Sequence, residues 1–265
     1  MTGNDAMKET GQAAEAGEQR AGPAGAAFAE DGVGDIRYRQ TRVVDLQLNH
    51  LERNRIVAHN KADPACRVFD LLRTQVLQKM ESEGWRTLAV TSPGPEAGKS
   101  VVAINLAMSI AHQTSKTAML VDFDLRKPVV ARYLGLTPDT SLNEVLDGGA
   151  GLPEAMVNPG MPRLVVLPTA EPVKNPSETL SSRKVASLIA EMRERYDSRI
   201  VIFDLPPLLG TDDALAVLPY IDCMMLVVGE GMSSDSEILQ SLRYLPSEKL
   251  VGLVLNKAEE TREAY

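Results

Sequence analysis

Leu88-Ala-Val-Thr-Ser-Pro-Gly-Pro-Glu-Ala-Gly98-Lys99-Ser100-Val-Val-Ala-Ile-Asn-Leu-Ala107 runs from an apolar stretch through a Gly/Pro-rich loop into Gly-Lys-Ser and an apolar helical pattern. Strand, loop and helix in that order are the context a phosphate-binding loop requires. The loop residues Pro95, Glu96, Ala97, Gly98, Lys99, Ser100 and Val101 would surround phosphate oxygens with a helix N-terminus and, proline excepted, backbone N–H donors. Lys99 would reach the outer phosphates, and the Ser100 hydroxyl would ligate Mg²⁺. Gly98 lets the backbone approach where a Cβ would obstruct. Two departures stand out. Pro93 occupies the first glycine of the generic G-x-x-x-x-G-K-[ST] pattern, and Glu96 brings a carboxylate near the expected phosphates. That carboxylate lowers affinity unless it points outward.

Two further apolar runs end in aspartates: Ala118–Asp122, continuing to Asp124, and Ile200–Phe203, followed by Asp204. In extended backbone, positions i and i+2 share a face, so Asp122 and Asp124 can both turn toward the loop. Mg²⁺ takes hard oxygen ligands and keeps several waters, so one or two carboxylates with Ser100 suffice. A carboxylate at this place can also take a proton from an incoming hydroxyl. Lone polar residues at strand ends mean little, because strand ends meet solvent. Three aspartates closing two strands beside such a loop agree with one another and with nucleotide binding.

Outward from these stretches, strands and helices alternate. The expected strands are Thr87–Thr91, Ala118–Asp122, Leu164–Leu167, Ile200–Phe203, Met224–Val228 and Val251–Leu255. The expected helices are Ser100–His112, Pro176–Tyr196, Asp212–Leu218 and Ser234–Leu245, with another opening at Asp63-Pro64, read as an N-cap followed by proline at the first helical position. Near-continuous apolar strands that alternate with helices imply a doubly wound, mostly parallel sheet flanked by helices. On such sheets ligands bind at the carboxyl ends of the strands.

Residues 1–35, rich in Gly, Ala and Glu, read as a disordered tail. Residues 36–62 form an N-terminal extension with a short strand or helix, 63–258 the P-loop domain, and 259–265 a C-terminal tail. The 265 residues carry a net charge of −8, which argues against a nucleic-acid partner. Cys66 and Cys223 read as two reduced thiols of a cytoplasmic protein. No apolar run is long enough to span a bilayer, so membrane association is expected only through a partner. His50, His59 and His112 show no metal spacing.

The motifs together resemble the bacterial tyrosine kinases of capsule and exopolysaccharide assembly, within the partitioning-ATPase-like class of P-loop proteins. The likeness runs from about Ala65 to Asn256. It rests on Thr91-Ser92…Pro95…Gly98-Lys99-Ser100, on Asp122-x-Asp124-Leu-Arg126-Lys-Pro128 and on Asp204-x-Pro206-Pro207. It extends through Leu134-Gly135, Leu142–Leu146, Asn175-Pro-Ser-Glu178, Thr211–Ala214 and Gly252–Asn256. The resemblance implies ATP and Mg²⁺ as cofactors. Lys99, Asp122 and Asp204 would be catalytic, Ser100, Asp124 and Asp204 would hold metal, and Arg126 and Asn256 would lie at the nucleotide. It also implies a homo-oligomer and a membrane-anchored polysaccharide chain-length regulator that supplies an activating cytoplasmic segment. The protein would then sit peripherally at the inner face of the membrane.

Some positions depart from that family's pattern. Glu96 stands where its loop has glycine. Arg67, Asp70 and Arg73 align with a Glu-x-x-Arg-x-x-Arg assembly motif with the first two charges exchanged, which would leave an acid–base contact between subunits. In place of a C-terminal tyrosine cluster stands Tyr265, a candidate phosphoacceptor in an accessible tail. Tyr133, Tyr196, Tyr220 and Tyr244 fall inside expected elements as core or rim residues. The alternatives are an ATPase switch or scaffold in the same pathway, and a partitioning ATPase. Gly94 holds the place of the extra loop lysine the partitioning ATPases carry, which disfavours the latter.

Overall fold

The computed structural model describes residues 41–113, 115–195 and 198–258. The tail 1–35, the start of the extension, Tyr196, and 259–265 with Tyr265 lie outside the described residues.

Eight strands form one sheet. In chain order they are β1 (Arg42–Val43), β2 (Thr87–Thr91), β3 (Thr117–Asp122), β4 (Val157–Asn158), β5 (Leu164–Leu167), β6 (Arg199–Asp204), β7 (Cys223–Gly229) and β8 (Leu250–Asn256). Their order across the sheet is β1-β4-β5-β3-β6-β2-β7-β8. Every neighbouring pair is parallel except β4 with β5. The doubly wound, mostly parallel architecture is therefore the observed one. The helices are α1 (Leu48–Arg53), α2 (Cys66–Glu83), α3 (Lys99–Ala111), α4 (Val130–Leu134), α5 (Leu142–Asp147), α6 (Leu152–Ala155), α7 (Pro176–Leu180), α8 (Arg183–Glu194), α9 (Asp213–Val217) and α10 (Asp235–Tyr244).

Strand alternation divides the core into two layers. Leu88 and Val90 of β2 join Leu120, Ile202 and Met225 under α2 and α3. Ala89 joins Met119, Val201, Phe203 and Leu226 on the opposite face, with Val185, Ile189 and Met192 of α8. Period-two alternation causes this split: each central strand feeds both layers, so its sequence is apolar throughout. Aliphatic side chains fill most of both layers, each worth about 1.5–3 kcal/mol when fully buried.

Where elements differ from the sequence reading, local hydrogen bonds explain it. The helix expected over Pro176–Tyr196 is two helices. Ser182, extended at φ −71°, ψ 150°, caps α8 by accepting the Val185 N–H, so the chain turns there. Asp63 is not the N-cap of α2. Its carboxylate accepts the Ala65 N–H, two residues on, and the helix begins at Cys66.

The extension is pinned to α3 by one side chain. Asn105, fully buried, accepts the Val57 and Ala58 N–H groups at 2.8 and 2.9 Å. Its Nδ2 donates to the carbonyls of Arg55 and Val101 at 3.0 and 2.8 Å. On α2, Arg73 donates to Asp70 at 2.6 Å and to the Ser109 carbonyl at 3.0 Å. Those two charges of the expected assembly motif are thus engaged within the chain, against α3.

Candidate active site

Strands β3, β6 and β2 are neighbours, so their carboxyl ends lie side by side. Asp122 and Asp204 are register partners, and Asp204 is also opposite Val90. Chain beyond Asp204 runs against the loop after β2. Leu205, Leu208 and Leu209 N–H groups donate to the carbonyls of Val90, Ser92 and Pro93, and Thr91 Oγ1 donates to the Pro206 carbonyl. The loop and both aspartate strands are therefore joined through backbone.

Lys99 opens α3 and is buried, its Nζ 2.9 Å from Asp124 Oδ2 and 3.3 Å from Asp204 Oδ1. It also donates to Ser100 Oγ at 3.3 Å. Burial pulls the Lys99 ammonium down. The Asp204 and Asp124 carboxylates outweigh that and hold it above its ordinary value. Asp122 is fully buried; its Oδ2 accepts the Val129 and Val130 N–H groups at 3.0 and 2.9 Å. Burial, then the charge of Asp204, raises its carboxyl well above the usual carboxylate range. Burial raises Asp204 as well, against the pull of Lys99 and of a hydrogen bond from Ser100, and its Oδ2 has no hydrogen-bond partner. Three buried carboxyls thus share one ammonium, which leaves the cluster short of positive charge.

The loop itself is strained at one position. Gly98 has φ 89° and Glu96 has φ 64°; both are left-handed, and only glycine adopts this region without strain. Pro95 and Glu96 are exposed while Ala97, Lys99 and Ser100 are buried, with Val101 partly so. Glu96 faces solvent, as its charge requires.

Arg126 directs its hydrogen bonds to a different acid. Its Nε and Nη2 both donate to the buried Asp213, the latter at 3.0 Å, and the Ser177 hydroxyl lies against Asp212 and Asp213. Three stretches far apart in sequence, 122–128, 175–178 and 211–214, thereby meet. Sequence reasoning assigned no role to Asp213 or Ser177. The only signal was their place in Asn175–Glu178 and Thr211–Ala214, two of the stretches that carry the family resemblance. Thr169 was likewise missed; its hydroxyl donates to the Asp122 carbonyl at 2.6 Å. Asn256, at the end of β8, donates to the Ala97 carbonyl at 2.8 Å. Tyr133 packs partly buried against the core, whereas Tyr220 and Tyr244 are rim residues, 42% and 47% exposed.

Among the described residues no helix is long and apolar enough to cross a membrane. None of their His, Cys, Asp and Glu side chains converge in threes as a ready metal cage.

No family model matches the chain. It is 30% identical over 210 residues to the tyrosine-protein kinase YwqD of Bacillus subtilis, covering 78% of this chain and 87% of that protein. It is 28% identical over 226 residues to the succinoglycan biosynthesis transport protein ExoP of Rhizobium meliloti, covering 83% of this chain. The chain spans 28% of the length of ExoP, and the same share of the tyrosine-protein kinase ptk of Acinetobacter johnsonii. Among solved structures, the kinase domain of the Escherichia coli tyrosine kinase ETK matches with a TM-score of 0.71 at 25% identity. That match covers 87% of this chain and 94% of the ETK domain.

Proposed function

This chain belongs to the bacterial tyrosine-kinase family, and from that premise we propose that it transfers phosphoryl groups from Mg-ATP to tyrosine hydroxyls to regulate exopolysaccharide polymerisation and export. One observation carries the reading: the buried Lys99 ammonium, beside Ser100, set between the strand-end carboxylates of Asp124 and Asp204.

The residues present fit a divalent cation. Asp204 Oδ2 is a buried oxygen without a partner, and the cluster lacks positive charge. Mg²⁺ held by one or two carboxylates needs no cage of three. Ser100, Asp124 and Asp204 would hold it, and it would supply charge neutralisation at the terminal phosphates. Lys99 would exchange its contacts with Asp124 and Asp204 for phosphate oxygens. The amides of 96–101, at the start of α3, would orient the nucleotide and stabilise charge on the transferring group. Asp122 would orient the tyrosine hydroxyl or take its proton; a carboxyl raised above its usual range is suited to that work. Arg126, held by Asp213, would border the nucleotide, as would Asn256.

ExoP's name supports the pathway. A membrane-anchored chain-length regulator with an activating cytoplasmic segment, a homo-oligomeric state and a place at the inner face of the membrane complete the proposal. The test incubates purified protein and that segment with Mg-ATP and probes for phosphotyrosine. Signal that disappears in Lys99→Met and in Tyr265→Phe supports autophosphorylation at Tyr265. ATP hydrolysis without phosphotyrosine would replace the kinase reading with an ATPase switch.

A further inference from the structure

The Ala97–Gly98 peptide is held from behind by strands remote in sequence. Asn256 Nδ2 donates to the Ala97 carbonyl at 2.8 Å across 159 residues. The Asn256 carbonyl in turn accepts the Glu230 N–H at 2.9 Å, which fixes the end of β8 against the turn after β7. The amide lies so close to the loop that a Cβ at residue 98 would come within 2.1 Å of Asn256 Nδ2. A Cβ at Gly229 would likewise meet Ala97 Cα at 3.1 Å. Ala97, 1% exposed, is therefore enclosed by the ends of β7 and β8.

In a trans peptide the C=O and the following N–H point to opposite sides. Drawing the Ala97 C=O toward Asn256 therefore turns the Gly98 N–H away from it. We propose that Asn256 is a positioning residue of that loop: its side-chain N–H fixes the Ala97–Gly98 peptide so that the Gly98 N–H is preset for a phosphate oxygen. This rests on reading 95–101 as a phosphate cradle. It differs from a base contact, because the bonded atom of Asn256 is already spent on the loop backbone. Aspartate has the same shape without the donor and sets a negative charge against the Ala97 carbonyl. Glutamine is longer by one methylene in a space already closed by Gly98.

The two roles separate by using a ligand with no base. Binding of Mg-ADP and of Mg-tripolyphosphate is measured by calorimetry for the wild type, Asn256→Ala and Asn256→Asp, with the melting temperature of each. The clamp predicts that Asn256→Ala weakens both ligands by the same factor, about tenfold for one lost hydrogen bond, while the melting temperature without ligand falls by only about 2–4 °C. Asn256→Asp should weaken both at least as much, and being isosteric it carries the test should the alanine variant fail to fold. Loss confined to Mg-ADP, with tripolyphosphate unaffected, would overturn the clamp and leave a base contact. Unchanged binding of both would overturn it outright. A wild type that binds neither ligand would overturn the phosphate-loop reading itself, and the clamp with it.

Discussion

Two of the buried polar groups of helix α3 behave oppositely. At its middle, Asn105 has two N–H groups directed at its Oδ1 and two carbonyls accepting from its Nδ2. At its first turn, Lys99 is shared among carboxyls that outnumber it, and Asp204 Oδ2 has no partner at all. A buried polar group with every bond made holds structure together. One left short has capacity for something the chain does not itself supply. The first kind should fail by unfolding when altered, and the second by losing function.

Lys99→Met should show the largest effect, about a 10³-fold loss of phosphoryl transfer, as when a positioned charge-stabilising donor is removed. Single-turnover assays would check it; near-normal activity would place the chemistry elsewhere. Asn105→Ala should instead cost about 3 kcal/mol, since the part-buried Val57 and buried Ala58 N–H groups lose their acceptor. That lowers the melting temperature by roughly 6–12 °C, with activity per folded molecule unchanged.

Asp122→Asn should invert that pattern, raising stability while abolishing activity. The asparagine keeps an acceptor for Val129 and Val130, gives up the long 3.3 Å bond from the Asp124 N–H, and removes a charge the fold disfavours. Because the folded pKa is raised, the native state binds the proton more tightly than the unfolded chain. Stability from this group is complete below the unfolded value of about 4 and is lost as pH rises from there through the folded value. The gain in melting temperature, about 2–6 °C at neutral pH, should therefore shrink toward pH 4. A gain independent of pH would contradict the assignment. The smallest effect belongs to Glu96→Gly. Relief of a left-handed non-glycine residue is offset by added freedom in the unfolded chain, leaving about 0.5 kcal/mol. Denaturant melts would measure it.

The central strands were legible in sequence because burial on both faces leaves a continuous apolar run, as in β2 and β5. The convergence of Lys99, Ser100, Asp124 and Asp204, with Asp122 alongside, was legible for a related reason: a parallel sheet gathers strand ends on one side. Strands β1 and β4, two residues each, carry too little pattern to announce themselves. The break at Ser182 depended on a cap inside a segment with sustained helical periodicity. The Arg126–Asp213–Ser177 cluster and the bond from Asn256 to Ala97 are tertiary pairings, which no local spacing encodes.

If the unbalanced cluster around Lys99 is built for a magnesium nucleotide, both Mg²⁺ and Asp204 must contribute to binding. The melting temperature of the wild type and of Asp204→Asn, each with ADP in excess Mg²⁺ and with ADP plus EDTA, tests it most directly. The wild type should rise by several degrees with Mg-ADP, consistent with about 2.7 kcal/mol at a hundredfold excess over Kd. The rise should be much smaller with EDTA and strongly reduced in Asp204→Asn. No rise, or one indifferent to both magnesium and Asp204, would contradict it.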